Sequence, residues 1–239
     1  MHNFRSWRYL VLWPALVLSL GACQHNVNHR NTGNNSTNLS YLVKTDIDTV
    51  ADQHMRANLA NLALLAEKLY RRNPVYCQHV KRNIRQCVDY ITSEHPPGWL
   101  YAELGRKTSI DALRLTFDET FTGDRVMAFI IGLTTMIIRA YGNKTEFHML
   151  DNLEPQKLYD CARNIEIAVW KLSNDKNSQQ QLYLLSNSLP GEPVNLSYER
   201  LFGKLISTQD NMANIMAEKT NRRIKNVIQS LATAVFSPI

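Results

Sequence analysis

Glycine is scarce in this sequence and never clustered: nine residues are scattered from Gly21 to Gly203. A loop that cradles phosphate needs several glycines close together, so that backbone amides can approach the ligand. None is present. The patterns G-x-S-x-G, H-E-x-x-H and C-x-x-C are missing as well. Their absence removes the familiar signatures of a serine hydrolase, a zinc protease and a dithiol redox centre. Nor does the chain hold an apolar run of the roughly 20 residues that a membrane-spanning helix requires. There is no repeat with a period of roughly 20 to 50 residues and no sustained heptad, so neither a solenoid nor a coiled coil is expected.

The first residues are more informative. Arg5 and Arg8 supply a short positive segment, and residues 9–20 are apolar apart from Pro14 and Ser19. Gly21 and Ala22 follow, small enough to enter a peptidase cleft in extended form. Positive charge, a short apolar stretch and small residues at the cut are the layout of a secretory signal. The ending Leu20-Gly21-Ala22-Cys23 resembles the lipobox of bacterial lipoproteins. That resemblance implies a diacylglycerol thioether on the Cys23 sulfur, cleavage before Cys23, and acylation of the new amino group. Each buried CH₂ stabilises membrane binding by about 0.8 kcal/mol, and stable anchoring takes about two chains. The implied lipid supplies that without help from the protein. In lipoproteins of Gram-negative bacteria an Asp after the cysteine favours inner-membrane retention. Gln24 stands there instead, which implies the outer membrane, with the domain facing the periplasm.

On this reading residues 1–22 are a signal peptide, residues 23–45 a lipidated N-terminus and flexible tether, and residues 46–239 a single α-helical domain. Residues 24–40 are rich in Asn, Ser, Thr and His and too poor in apolar side chains to offset the entropy of ordering them. His25 and His29 stand at i, i+4 spacing but lack a third ligand, so neither a metal nor a cofactor is assigned. The formal charge is +6 and drops to +4 once Arg5 and Arg8 are cleaved away. Anionic head groups or envelope polymers suit this mild excess; a nucleic-acid partner is not expected of an exported protein. Cys77, Cys87 and Cys161 remain, an odd number that leaves at least one thiol unpaired within the chain. On one straight helix Cys77 and Cys87 would stand about 15 Å apart, far beyond the roughly 4.4–6.8 Å that a disulfide spans between Cα atoms. They can pair only if the chain turns between them, and the spacing leaves both states open.

Apolar residues recur at helical spacing almost throughout. Thr49-x-x-Asp52 fits a capping box, and Met55, Leu59, Leu62, Ala66 and Leu69 follow as one stripe. Asn73 and Pro74 read as an N-cap and first turn. Val80, Ile84, Val88 and Ile91 then line one face until His95-Pro96-Pro97-Gly98 stops it. Residues 109–115 fit a short helix, and residues 116–123 a loop. Asp124 can start the next helix, which is nearly all apolar over residues 126–138, suits a buried core element, and carries Gly132 for close helix contact. Pro155 opens another, with Leu158, Ala162, Ile165, Val169 and Leu172 on one face and Cys161 beside it. Residues 182–185 are a brief apolar run with extended character. From Ser197 a stripe through Leu201, Leu205, Met212, Met216, Ile224, Val227, Leu231 and Val235 keeps helical phase toward the C-terminus. The expected fold is all-α: an irregular helical bundle of about five to seven helices with a long C-terminal helix.

Glu146, His148, Asp151 and Glu154, with Asp160 and Glu166 beyond, come nearest to a catalytic constellation. The doubled Glu-x-x-His of di-metal bundles is absent. Acids near helix starts complement the dipole without any chemistry, and no catalytic residue is assigned. Lys219, Arg222, Arg223 and Lys225 form a basic segment ahead of an apolar face that includes Ile228 and Phe236. Such a helix can lie on an anionic membrane, dock in a partner's groove, or pack on the bundle with its charges in water. The stretches Gly123-Asp124-Arg125-Val126, Asn143-Lys144-Thr145-Glu146-Phe147, Asn164-Ile165-Glu166-Ile167 and residues 195–204 are similar to those of an uncharacterised lipoprotein family of proteobacteria, over roughly residues 46–239. The resemblance implies no known activity and transfers no site residue; it agrees with outer-membrane placement. The expected role is a non-enzymatic structural, assembly or interaction factor with an envelope protein partner. The alternatives are an envelope hydrolase using Glu146, His148 and Asp151, or a small-ligand binding protein with a pocket between helices.

Overall fold

The computed structural model describes residues 46–79, 81–93, 96–148, 153–189, 191–221, 223–224 and 235–239. The signal, Cys23, the tether with His25 and His29, Asp151, Arg222 and Lys225 lie outside the described residues, as do Val80, His95, Val227, Ile228 and Leu231. The helices are α1 (Asp46–Arg72), α2 (Val75–His79), α3 (Ile84–Thr92), α4 (Ser109–Thr116), α5 (Arg125–Ala140), α6 (Pro155–Asn174) and α7 (Ser197–Thr220). Two 3₁₀ turns, Pro97–Trp99 and Ala102–Leu104, join α3 to α4. Among the described residues there is no strand, only an isolated bridge between Lys176 and Leu182. The fold is thus the all-α bundle with a long helix near its end.

α5 is the centre. Asp124 caps it, accepting from the Met127 amide at 2.9 Å, and every residue from Val126 to Ile138 is buried. It packs against α4, α1 and α6. Gly132 lets α4 come close: a Cβ there would meet Leu113 Cγ at 2.7 Å and the Leu113 amide nitrogen at 2.8 Å. Phe129 meets Phe117 and Phe202 edge-on, with centroids 6.3 and 6.2 Å away, which ties the end of α4 and the start of α7 to the same point. Arg125 gathers the loop after α4 by donating to the carbonyls of Thr116, Asp118 and Phe121 at 2.7–2.8 Å. A cation at a helix C-terminus also meets the negative end of the dipole.

Five expectations change. α1 begins at Asp46, so Asp52 is not a capping residue; it lies inside the helix, buried, and accepts the Phe147 amide at 2.9 Å. The Asn73 side chain does not cap α2. It donates to the Leu69 and Leu185 carbonyls, each at 2.8 Å, and accepts the Leu185 amide at 2.9 Å. That clamp fixes the chain after α6 at Leu185; the run of residues 182–185 is not extended, since it bends at Tyr183 and Leu184. The single helix expected after Pro74 is two, because Lys81 turns the chain at φ +54° and Asn83 starts α3 with a reciprocal capping box to Gln86. The turn brings the Cα atoms of Cys77 and Cys87 to 6.1 Å, and the two form a disulfide. Cys161 is a free thiol buried in the core, and burial pushes its ionisation well above the ordinary thiol range. Finally, the stripe of the last helix does not run on to Val235. α7 stops at Thr220, with Asn221 in the left-handed region. Further on, Val235 is exposed and Phe236 buried. A second asparagine clamp holds the final described residues: the fully buried Asn164 of α6 donates to the Ser237 carbonyl at 2.8 Å and accepts its amide at 2.7 Å.

Candidate functional site

The described members of the acidic cluster go separate ways. Glu146 is exposed. Glu154 is exposed and pairs with Lys157 at 3.6 Å. Asp160 accepts from Gln156 at 2.9 Å, and Glu166 pairs with Arg163 at 2.9 Å. Among the described residues, no group of three His, Cys, Asp or Glu side chains is placed to hold a metal ion. Of the basic segment, Lys219 and Arg223 are both exposed, and the left-handed Asn221 lies between them. One continuous helical face therefore does not carry both.

A different set of residues does converge. A cavity of about 230 Å³ lies between the end of α1, the disulfide-bonded hairpin α2–α3 and the start of α5. Three tyrosines line it: Tyr70 from α1, Tyr76 from α2 and Tyr90 from α3. Arg82, Glu103 and Asp124 supply charge, and Cys87 and Met127 complete the apolar wall. The disulfide holds α2 and α3 at the angle that turns Tyr76 and Tyr90 toward one space.

Tyr70, Tyr90 and Asp124 are each held by a neighbour. The Tyr70 hydroxyl donates to Asp124 Oδ2 at 2.8 Å, while Oδ1 takes the Met127 amide. The Tyr90 hydroxyl donates to Glu103 at 2.7 Å, and Tyr101 donates to the Tyr90 carbonyl at 2.6 Å. The Arg82 guanidinium lies over the Tyr90 ring, 4.1 Å from its centroid, an arrangement stabilised by the ring quadrupole. Burial pushes the Asp124 carboxyl upward, opposed by the Met127 and Val126 amides and by Tyr70. Among the described residues no Lys, Arg or His forms an ion pair with it. Burial, followed by the charge of Asp124, drives Tyr70 far above the ordinary phenol range. Tyr70 is accordingly a fixed donor with no access to the phenolate. The Cys87 sulfur is in a disulfide, which removes it as a nucleophile. The wall offers aromatic faces, one guanidinium and two carboxylates for recognition.

Sequence reasoning placed Asp124 only as a helix start and passed over the tyrosines. The available signal was three tyrosines flanking a cysteine pair within residues 70–90. What was missing was the turn at Lys81 together with the disulfide that closes behind it. Comparisons with known protein families, with curated proteins and with solved structures found no match.

Proposed function

We propose that this is a lipid-anchored envelope protein, held at the outer membrane through Cys23, whose helical domain acts as a non-enzymatic interaction factor in the periplasm. The tyrosine-lined cleft at Asp124 is the place where it grips a partner. That cleft carries the proposal: it gathers three tyrosines and an arginine, types enriched where proteins recognise one another, on a rigid frame. The Cys77–Cys87 disulfide supports export, since such bonds persist in oxidising compartments and are rare in the cytosol. No helix of the described residues is long and apolar enough to cross a membrane. A second reading, a small-ligand binding protein, draws on the same cleft, whose volume admits a compact molecule.

The test is in-cell crosslinking. A photo-reactive amino acid in place of Tyr76 should give a discrete adduct with an envelope protein, identified by mass spectrometry. The same probe at the exposed Lys204 of α7 should not. Equal yields from both positions, or none from Tyr76, would remove the cleft from the account.

A further inference from the structure

A separate cavity of about 360 Å³ lies where the Pro97–Trp99 turn, the start of α4 and the end of α5 meet. It shares no residue with the tyrosine-lined cleft. Donors dominate its wall. Trp99 carries an indole, Thr108 and Ser109 carry hydroxyls, and Arg139, Asn143 and Thr145 come from α5 and the loop beyond it. No Asp or Glu lines it.

Two of these groups are stranded. The residue exposures of Trp99 and Ser109 are 6% and 3%, and neither the indole N–H nor the hydroxyl has a hydrogen-bond partner. An indole N–H can only donate, and a buried donor without an acceptor costs about 1–3 kcal/mol. The Ser109 amide is differently placed: it donates to Thr135 Oγ1 at 2.6 Å, and that hydroxyl donates onward to the Ile131 carbonyl at 2.6 Å. The bond holds Ser109 at φ +52°, while Trp99 stands at φ +56°, a region that bulky residues avoid. The Thr108 side chain makes no cap hydrogen bond. Arg139 forms no ion pair with a described residue. The carboxylate on the first turn of α4, Asp111, is taken by Arg114 at 3.0 Å and lines an adjoining cavity instead.

We propose that this cavity binds a phosphoryl oxyanion, with Arg139 as the counter-charge and the Trp99 indole and the Thr108, Ser109 and Thr145 hydroxyls as donors. A carboxylate offers two oxygens along one edge. A phosphoryl group spreads three strong acceptors, which suits donors arriving from three segments of the chain. The volume falls within the roughly 300–1,000 Å³ of small-molecule sites, so an ester substituent on the phosphate is accommodated. Free phosphate and a phospholipid head group share this chemistry. The site depends on neither the anchor nor the tyrosine cleft.

Phosphorus NMR titrations of the full chain in a maltoside detergent test it, at constant ionic strength. One arm uses inorganic phosphate; the other uses a short-chain phosphatidylglycerol below its micelle concentration. The wild type should bind at least one probe saturably, and the preferred probe names the source. Arg139→Gln should weaken binding by about tenfold or more, the loss expected for one charge-assisted contact. Trp99→Phe, which keeps the ring and removes the donor, should weaken it several-fold. Arg200→Gln, exposed on α7, should leave it unchanged. Thr145→Val is a second exposed-site variant expected to weaken binding, and it decides the matter should Arg139→Gln lose its helical circular dichroism. Absence of saturable binding for both probes, or wild-type affinity in Arg139→Gln and Thr145→Val alike, would overturn the proposal.

Discussion

Replacing Gly132 by alanine sets two opposed effects against each other within one residue. In a helix interior, alanine is more favourable than glycine by about 1 kcal/mol, so an unpacked position would gain stability. Here the added Cβ would sit 2.7 Å from Leu113 Cγ, 2.9 Å from Leu113 Cδ2 and 2.8 Å from the Leu113 amide nitrogen. A side chain can rotate away, but the backbone nitrogen cannot unless α4 moves. α4 is held on the same interface by the Ser109–Thr135 hydrogen bond, and Leu113 is fully buried. Overpacking of this kind costs about 1–3 kcal/mol, and more where the backbone must shift. The upper part of that range applies, leaving a net loss of about 1–2 kcal/mol after the propensity gain. For a domain of this size each kcal/mol lowers Tm by about 2–4 °C, so a fall of about 2–8 °C is expected. Thermal denaturation measures that fall, and urea unfolding followed by circular dichroism measures the free-energy loss, with an unchanged m-value showing that the denatured state is unaltered. A midpoint equal to or above wild type would refute the close α4–α5 approach.

Asp124→Asn reports on the buried carboxyl. Burial raises the folded-state value of Asp124 above 3.8, so the folded protein holds that proton more tightly than the unfolded chain. The resulting stabilisation is present below the unfolded value and is lost as pH rises through the folded one. The Tm of Asp124→Asn should therefore gain on wild type between about pH 4 and pH 7; a shrinking gap would mean that the carboxyl is held down instead. The double variant Cys77→Ser, Cys87→Ser should lose about 2–3 kcal/mol and become indifferent to reductant, whereas reductant should lower the wild-type Tm. Gln209 is fully buried on α7, and neither side-chain amide atom has a partner. Gln209→Met removes two stranded polar atoms at similar volume and should raise stability by about 1–2 kcal/mol, read by thermal denaturation.

Most of the helices were legible because their burial is local in sequence. The apolar run around Gly132 announced a central helix, and the stripe from Leu158 to Leu172 announced α6. The failures share one cause: polar side chains spent on distant backbone. Asp52 looked like a cap because Phe147, its partner, is 95 residues away. Asn73 and Asn164 bind backbone 112 and 73 residues distant, and no periodicity reports such contacts. The candidate cleft was hidden for a related reason. Tyr70, Tyr76 and Tyr90 share no helical face, and they meet only because Lys81 adopts a left-handed turn and the disulfide closes behind it. The stranded Trp99 and Ser109 donors depend in the same way on backbone dihedrals that composition does not betray.

The proposed attachment through lipid on Cys23 is read by metabolic labelling with an alkyne palmitate analogue. Wild-type protein should label and sediment with membranes; Cys23→Ser should do neither. A Cys23→Ser protein that still labels and still sediments would contradict the account and place the attachment elsewhere in the chain.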